Sequence, residues 1–292
     1  MSAPTASALD DLVVEDLRSW GAASPACLLV SRDGTVAGAG PIDLVQPWAS
    51  VTKIVAALAV LDVVQEGLLA LDEPAGPAGS TVRHLLGHAS GLAFDRERVL
   101  AEPGTRRIYS NVGIDLAVEA AVRRAAAKDA PGLLRERVLG PLGMDATSLV
   151  GPASHGACGP VRDLARLARE LLAPRVLSPA AVDLALAPSF PQLAGVLPGF
   201  GRQDPNDWGL GVELRGHKKP HWMAPDAPAD CVGHFGQSGS FLWADRSLGL
   251  AAVAASGAPF GPWAAEAWPR SSARWRRAWR ADPARTSQAP PG

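Results

Sequence analysis

The chain is poor in cysteine, and its cysteines follow no recognisable pattern. Its 292 residues contain three of them, Cys27, Cys158 and Cys231, which are far apart and lack Cys-x-x-Cys spacing. This arrangement argues against a disulfide framework and against a zinc site. We expect three reduced cysteines that pack as small apolar side chains.

The chain also lacks an excess of charge, a long apolar run and a basic N-terminal segment. Its formal net charge of −1 gives no electrostatic reason to expect nucleic acid or an anionic membrane as a partner. No uncharged apolar run reaches the roughly 18 residues of a transmembrane helix, so no membrane span is expected. Residues 1–11 are acidic where a signal peptide would be basic and then apolar, which predicts a cytoplasmic location.

Lysine is scarce as well, which makes Lys53 informative. The chain has four lysines, and Lys53 follows Ser50 by three residues, so both side chains lie on one face of a helix. The stretch from Ile54 to Val64 is almost entirely apolar, which predicts a helix that is buried all round and begins near Ser50. A lysine on such a helix must be paired or functional, because an unpaired buried charge is costly.

Ser50 and Lys53 together provide the parts of a nucleophilic site. A helix N-terminus favours negative charge, and a desolvated lysine loses its proton easily and can then accept one from a serine hydroxyl. The alternative interpretation is that Ser50 only caps the helix and that Lys53 is a solvated residue of its first turn.

Tyr109 is the single tyrosine of the chain and stands two residues before Asn111. It opens a predicted helix that runs through Val122. A tyrosine in this position usually serves packing. Beside a Ser/Lys pair, however, the phenol is suited to relay a proton, and the amide is suited to orient Lys53 or a substrate carbonyl.

The order of the predicted elements indicates an α+β fold. An amphipathic helix over residues 9–20 precedes a hairpin with an Asp-Gly turn, and closely spaced strands near the C-terminus indicate an antiparallel meander. We expect the hairpin and the meander to form one antiparallel sheet, flanked by helices and completed by a mainly helical second lobe. The predicted strands are residues 26–31, 35–38, 208–214, 231–235, 240–244 and 248–255.

The last predicted helix spans residues 263–280. Its tryptophans share one face, which favours packing on the sheet over binding to a membrane surface. Pro269 is expected to interrupt it.

We expect a single domain over residues 8–284. Its sheet lobe spans approximately residues 8–66 and 200–282, and its helical lobe spans approximately residues 67–199. With 47% hydrophobic residues, the chain can bury a large core. The tail, residues 285–292, is predicted to be disordered. The oligomeric state is left open.

The histidines outside these motifs predict no metal site. His84 and His88 lack a cysteine or carboxylate at metal-ligand spacing, so both are expected to be structural. The segment His217-Lys218-Lys219-Pro220-His221 is the remaining candidate, and we expect it to be a solvated loop. Neither a metal nor a cofactor is expected.

Three motifs in order carry a family resemblance: Ser50-x-x-Lys53, Tyr109-x-Asn111 and His234-Phe235-Gly236. They resemble the motifs of the serine β-lactamase/penicillin-binding-protein superfamily. The Tyr-x-Asn motif resembles that of the class C β-lactamase-related branch, which also holds family VIII esterases and D-alanyl-D-alanine peptidases. Residues 85–92, 141–144 and 208–211 resemble structural signatures of the same branch. The resemblance covers about residues 10–280 and implies a β-lactamase/transpeptidase-like fold.

The resemblance implies catalytic roles for three residues. Ser50 would be the nucleophile, Lys53 its base partner, and Tyr109 the proton shuttle to the leaving group. The reaction would be attack on an ester or amide carbonyl, followed by hydrolysis of an acyl-enzyme.

The resemblance also implies residues that bind the substrate. Asn111 would orient Lys53 and the substrate, and the backbone N–H groups of Ser50 and Gln237 would form an oxyanion hole. His234 and Gly236 of the third motif would lie on the strand beside it.

The third motif departs from the Lys-Thr-Gly that β-lactamases and peptidases of this superfamily typically carry. His234 is at most partly charged at neutral pH, and Phe235 cannot donate a hydrogen bond. Both changes weaken recognition of a substrate carboxylate and favour a carboxylesterase for a small-molecule ester. The alternatives are a weak β-lactamase, a D-aminoacyl peptidase or amidase, and a catalytically inactive binding protein of the same fold. No Gly-x-Ser-x-Gly motif supports a different hydrolase fold.

Overall fold

The computed structural model describes residues 6–281, with side chains from residue 8 onward. The predicted disordered tail, residues 285–292, lies outside the described residues. The strands are β1 (Ala26–Ser31), β2 (Thr35–Ala39), β3 (Gln46–Pro47), β4 (Ser148–Leu149), β5 (Ala157–Gly159), β6 (Gly195–Leu197), β7 (Gly201–Gln203), β8 (Glu213–Leu214), β9 (Val232–Gly236), β10 (Ser240–Asp245) and β11 (Leu250–Ala255). The α-helices are α1 (Ala6–Ser19), α2 (Thr52–Gln65), α3 (Val82–Leu86), α4 (Asn111–Arg124), α5 (Ala130–Leu134), α6 (Val161–Leu172), α7 (Pro179–Leu186) and α8 (Pro262–Arg280).

The main sheet joins the two ends of the chain, as predicted. Within residues 6–281 it has six strands in the order β2-β1-β11-β10-β9-β8, and neighbouring strands are antiparallel. The last strand, β11, lies between β1 of the N-terminal hairpin and β10 of the C-terminal strands: Val253 is opposite Leu28 of β1 and opposite Leu242 of β10. The predicted fold class is therefore confirmed.

Both faces of the sheet are covered by helices, and β10 shows how the sequence produces this. Alternate side chains of a strand point to opposite faces. Leu242 and Ala244 join the core formed with α2 and α6, whereas Phe241 and Trp243 join the core formed with α1 and α8. An uninterrupted apolar strand is typical of a sheet that is buried on both sides.

The C-terminal helix α8 packs its tryptophans on the sheet, as predicted. Trp268 and Trp275 are fully buried, and Trp243 Nε1 of the sheet donates a hydrogen bond to Ser272 Oγ at 3.0 Å. The predicted interruption at Pro269 is wrong, because α8 continues through this residue. A proline costs the helix one backbone donor, and the buried tryptophans on either side of Pro269 hold the helix in place.

Helix α2 is buried all round, as its apolar sequence predicts. Every side chain from Thr52 to Val63 is buried. The helix ends at Gln65, and Gly67 takes the left-handed conformation with φ +74°, as expected for a glycine just past a helix end. The buried residues of α2 belong to a core that includes residues of the main sheet and of the neighbouring helices.

The predicted strand over residues 208–214 is wrong in its first part. Only Glu213–Leu214 pairs with β9. Before this pair the chain turns tightly, because the Gly209 N–H donates to the Val212 carbonyl at 3.0 Å and Gly211 adopts φ +72°. The two glycines permit this turn, but the apolar residues around them made the stretch resemble a continuous strand in the sequence.

The region between the hairpin and the meander is mainly helical and also contains two small sheets. One is ordered β3-β5-β4 and the other pairs β6 with β7. Cys27 and Cys231 are buried and Cys158 is half-buried, and all three are free thiols. In the described part of the chain, no helix is long and apolar enough to cross a bilayer. The domain boundaries stay a prediction.

The β9–β10 turn generates a stability prediction. Gly239 has φ +82°, and a Cβ at this position would overlap the Ala258 carbonyl oxygen and the Ser256 hydroxyl. Gly67 has a similar φ but open space around it, so Gly67→Ala is the matched control for the backbone strain alone. We expect Gly67→Ala to cost about 1–2 kcal/mol of unfolding free energy. We expect Gly239→Ala to cost at least about 2 kcal/mol more, because the overlap forces the backbone to shift.

Urea unfolding of both variants measures these costs. Equal losses in the two variants would contradict the close approach at Gly239.

Candidate active site

Ser50 lies on a strained turn that leads into α2. The turn, Ala49–Val51, is a short 3-10 helix, and Ala49 has φ +44°, a left-handed conformation that a residue with a side chain seldom adopts. Such strain persists only where neighbouring structure enforces it, and it occurs most often at functional sites. The predicted position of Ser50 near a helix N-terminus is confirmed.

Hydrogen bonds from two sheets hold this turn in place. The Trp48 carbonyl accepts a hydrogen bond from Ser240 Oγ at 2.7 Å, and the Trp48 N–H donates to the Ala157 carbonyl at 2.9 Å. Gly236 of β9 lies so close that a Cβ there would come within 3.0 Å of the Ala49 Cβ. The glycine of the third motif thus brings β9 against the turn that carries Ser50.

Lys53 is fully buried one turn after Ser50, as the sequence predicts. Its Nζ lies 2.6 Å from Asn111 Oδ1, 2.9 Å from the Ser154 carbonyl oxygen and 3.2 Å from Ser50 Oγ. Burial lowers the pKa of Lys53 to about 7, and the negative charge of Asp115 opposes part of that fall. Burial therefore favours the neutral amine far more than at an exposed lysine.

The three partners of Lys53 fit a neutral amine. Asn111 Oδ1 and the Ser154 carbonyl can only accept hydrogen bonds, so they take the two N–H groups of the amine. The remaining lone pair is left for the Ser50 hydroxyl. This geometry allows Lys53 to remove the Ser50 proton.

Asp115 supports this arrangement from behind, and the sequence analysis missed it. Its two carboxylate oxygens accept hydrogen bonds from Ser154 N at 2.8 Å and from Ser154 Oγ at 2.9 Å. The carboxylate thereby holds the Ser154 carbonyl against Lys53. Asp115 is one helical turn from Asn111 on α4, but no motif distinguishes it from a surface carboxylate.

Tyr109 lies beside Lys53 and remains a protonated phenol. Lys53 Nζ is 4.7 Å from the centre of its ring. Burial raises the pKa of Tyr109 well above its usual value, and a hydrogen bond with Ser50 opposes part of that rise. The Tyr109 hydroxyl is 3.4 Å from His234 Nε2.

His234 is neutral and accepts a hydrogen bond from Tyr109. Burial, with a smaller contribution from the Lys53 charge, lowers the pKa of His234 to about 3. Its Nδ1–H donates to the Phe235 carbonyl at 2.8 Å, so Nε2 is the acceptor and Tyr109 the donor. The third motif thus places an acceptor, and not a cation, beside the phenol.

An aromatic enclosure holds the Tyr109 ring, and its members were not predicted as site residues. Ring centres of His88 and Trp208 lie 4.7 Å and 5.5 Å from that of Tyr109. His88 is fully buried, and its Nδ1 accepts a hydrogen bond from the Ser110 N–H at 3.2 Å. His88 is therefore structural, as predicted. It supports the candidate site, because it packs on the Tyr109 ring and binds the backbone beside it.

The segment expected to be a solvated loop is a loop, and His217, Lys219 and Pro220 are exposed as predicted, but Lys218 and His221 are buried, which the prediction missed. The side chains of Lys218 and His221 turn inward to Glu213, whose Oε1 lies 3.0 Å from Lys218 Nζ and 2.8 Å from His221 Nε2. Trp222 Nε1 donates to Glu213 Oε2 at 2.8 Å. These partners hold the pKa of Glu213 below its usual range, although burial alone would raise it. The side chains of Lys218 and His221 are buried because the buried carboxylate of Glu213 needs partners, which residues five and eight positions further along the chain supply.

A cavity opens in front of Ser50. It encloses about 390 Å³ of space, including part of the adjoining solvent, and its wall is largely apolar. Gln237 is exposed at its edge, directly after β9. The lining residues are Ser50, Phe94, Tyr109, Leu197, Pro198, Trp208, Glu213, His234, Phe235 and Gln237.

The structure brings the predicted site residues together around this cavity. Lys53 and Asn111 lie behind Ser50, Tyr109 and His234 lie beside it, and Gly236 and Gln237 lie on the strand end across from it. Across the described residues, no group of three or more His, Cys, Asp or Glu side chains is arranged to hold a metal ion. The Ser50 hydroxyl, the Lys53 amine with its lowered pKa and the protonated phenol of Tyr109 are groups suited to nucleophilic attack on a carbonyl.

Comparisons with known proteins agree with this geometry. The profile of the family described as Beta-lactamase matches residues 13–273. The structure of a beta-lactamase from Mycobacterium bovis superposes with a TM-score of 0.89 at 43% identity, covering 91% of this chain and 99% of that chain. A comparison with curated protein sequences finds no match.

More distant structures share the fold. A mutant of simvastatin synthase from Aspergillus terreus has a TM-score of 0.74 at 16% identity, covering 94% of this chain and 95% of that chain. A hydrolase with promiscuous acyltransferase activity has a TM-score of 0.72 at 15% identity, covering 93% of this chain and 97% of that chain.

The support of Lys53 by Asp115 generates a prediction for the Lys53 pKa. The chain has four lysines, so protein labelled with ¹³C at the lysine Cε gives few signals to assign. We expect one signal, absent in Lys53→Met, to titrate near pH 7. In Asp115→Asn, which keeps the size and an acceptor oxygen, this pKa should fall below that of the wild type, because a negative charge is lost.

Glu119→Gln, an exposed position one turn further along α4, is the control and should leave the pKa unchanged. A Lys53 signal that titrates above pH 9 would overturn the neutral amine.

Proposed function

The chain belongs to the beta-lactamase family, and we propose that it is a serine hydrolase that cleaves a small-molecule ester through an acyl-enzyme on Ser50. The observation that carries the proposal is the burial of Lys53. Its Nζ lies within hydrogen-bond distance of Asn111, Ser154 and Ser50; when the amine is neutral, Asn111 and the Ser154 carbonyl accept its two N–H groups and its lone pair is left for the Ser50 hydroxyl.

Acylation begins with this pair. Neutral Lys53 accepts the Ser50 proton as Oγ attacks the carbonyl carbon of the ester, and the carbonyl oxygen becomes an oxyanion. When the oxyanion collapses, the bond to the leaving oxygen breaks, and Tyr109 donates its proton to that oxygen. Protonated Lys53 then returns a proton to Tyr109, so both groups recover their starting states and Ser50 carries the acyl group.

The oxyanion would be held by the backbone N–H groups of Ser50 and Gln237, which remain proposed donors. Ser50 lies at the start of α2, where backbone N–H groups and the helix dipole favour negative charge. Gln237 faces it from the end of β9. Two such donors can lower the barrier by several kcal/mol.

Deacylation uses the same groups in reverse. A water molecule gives a proton to neutral Lys53 as its oxygen attacks the acyl carbon. The second tetrahedral intermediate collapses to the free acid, and the proton returns to Ser50 Oγ. No cofactor enters either step.

The charges of the cavity favour an ester over a substrate with a carboxylate. Its lining residues include no lysine or arginine, His234 is neutral, and Glu213 contributes a negative charge. A carboxylate bound here would lose its hydration without gaining a cationic partner. The alternative function is a β-lactamase, which the relative from Mycobacterium bovis favours by its name. Cytoplasmic location stays a prediction.

Labelling of Ser50 tests the proposal. Wild-type protein exposed to a fluorophosphonate should gain one adduct by intact-protein mass spectrometry, and Ser50→Ala should gain none. Turnover of p-nitrophenyl acetate should fall at least about a thousandfold in Ser50→Ala. Ser90→Ala, which removes another buried serine outside the site, is the control and should retain both properties.

Nitrocefin, assayed in parallel, separates the two hydrolase functions: faster turnover of nitrocefin than of the ester would favour the β-lactamase. No adduct and no turnover would favour an inactive binding protein.

The Lys53 pKa predicts the pH dependence. The base must be neutral, so kcat/KM for p-nitrophenyl acetate should rise about tenfold per pH unit below pH 7 and level off above it. Because the pKa of Tyr109 is raised, deprotonation of the phenol should cause no decline up to pH 10. The far-ultraviolet circular dichroism spectrum checks that the protein stays folded across the range. A rising limb centred near pH 4 would assign the base to a carboxylate instead.

A further inference from the structure

A second groove continues from the catalytic cavity past Tyr109 to the surface. It encloses about 1030 Å³ of space, including the adjoining solvent, and shares Phe94, Tyr109 and Pro198 with the cavity in front of Ser50. Leu100 and Val196 add further apolar wall. The two spaces therefore meet at the phenol ring.

Exposed apolar side chains are concentrated along this groove. Of the nine large hydrophobic side chains that are exposed among the described residues, Phe94, Val99, Leu100 and Val196 belong to the groove or its immediate edge, with exposures of 47% to 60%. Scattered single exposures need no explanation, but a contiguous apolar groove that opens from a catalytic cavity is typical of ligand binding.

The walls of the groove are held rigidly by Arg107. This guanidinium is buried and donates hydrogen bonds to the carbonyls of Asn206, Ser189 and Phe190 at 3.0, 2.7 and 2.7 Å, and to that of Gly87. The Arg107 N–H also donates to the Ala194 carbonyl at 3.0 Å, which ties the Tyr109 segment to the wall that carries Val196. The groove is thus built before any ligand arrives.

We infer that this groove binds the apolar leaving group of the substrate, the alkyl chain of the ester's alcohol. The inference rests on the proposed function and names the substrate class for it. Tyr109 is the proton donor to the leaving oxygen, and its ring separates the cavity in front of Ser50 from the groove. An alcohol that takes the Tyr109 proton therefore starts at the mouth of the groove, whereas the acyl group stays with Ser50 in the cavity.

The charges of the groove further limit which alcohols the substrate ester can carry. The groove lining includes Arg106, Arg107 and Arg202 but no aspartate or glutamate. Asp204 pairs with Arg202, while Arg106 is exposed at the rim. A neutral alkyl chain fits this wall, and a chain that ends in a cation is repelled by the rim.

Two series of esters test the inference. One series holds the acyl group as acetate and lengthens the alcohol from ethyl to octyl; the other holds ethanol and lengthens the acyl group. We expect kcat/KM to rise about twofold for each added methylene of the alcohol, because the half-open groove removes only part of each methylene from water. Lengthening the acyl group should give a smaller rise. An acetate whose alcohol chain ends in trimethylammonium should react several-fold more slowly than the neutral chain of equal length.

A charge placed in the groove provides the matched variant. Leu100→Asp should reduce the ratio of kcat/KM for hexyl acetate to that for ethyl acetate at least fivefold. Leu68→Asp is the control, since Leu68 is exposed to a similar degree, 45% against 47%, but follows the far end of α2. This variant should keep the wild-type ratio.

The controls separate the two levels of the proposal. Wild-type protein that hydrolyses p-nitrophenyl acetate but shows no preference for longer alcohols, or a preference for longer acyl groups only, would overturn the groove and leave the hydrolase intact. An unchanged ratio in Leu100→Asp would also overturn it. Absence of p-nitrophenyl acetate turnover would instead overturn the proposed function.

Discussion

The site depends on keeping the Lys53 amine out of water. Among the described residues, Lys53 has no carboxylate in hydrogen-bond contact, because its partners are a carbonyl, an amide oxygen and a hydroxyl. Neutral acceptors compensate for burial only in part, so the pKa falls to about 7. The carboxylate of Asp115 does not contact Lys53 directly but binds Ser154, whose carbonyl it orients toward Lys53. From there its negative charge limits how far the pKa of Lys53 falls.

This requirement explains why so much of the fold converges on a single turn. α2 must be buried all round to desolvate Lys53, and it therefore sits between the sheet and the helical lobe. The turn before it must still expose Ser50 to the cavity, and this places Ala49 in a strained left-handed backbone conformation. Ser240 of the main sheet and Ala157 of the β3-β5-β4 sheet both hydrogen-bond to Trp48 directly before that turn, so two sheets contribute to the position of Ser50, the proposed nucleophile.

The sequence predicts those parts of the site that lie in short motifs or follow a period. Ser50 and Lys53 are one helical turn apart, and the apolar run of α2 predicts the burial of that helix. What the sequence could not predict depends on side-chain contacts that leave no period or motif in the sequence, both within a loop and between distant segments. Glu213 draws Lys218 and His221 inward, although a stretch rich in histidine and lysine looks solvated. The carboxylate of Asp115 looks like any other on an amphipathic helix until Ser154 packs against it.

The neutral state of His234 decides the order of the proton transfers. A cation beside Tyr109 would stabilise its phenolate form, and the phenolate could then take the first proton from Ser50. His234 instead accepts the Tyr109 hydrogen bond, and burial raises the pKa of the phenol. A phenolate is therefore costly here at every accessible pH, whereas neutral Lys53 is abundant. In the proposed mechanism, Lys53 therefore takes the first proton and Tyr109 donates to the leaving oxygen. Protonated Lys53 then returns a proton to Tyr109, so the breaking of the ester bond depends on the proton that Lys53 has already gained.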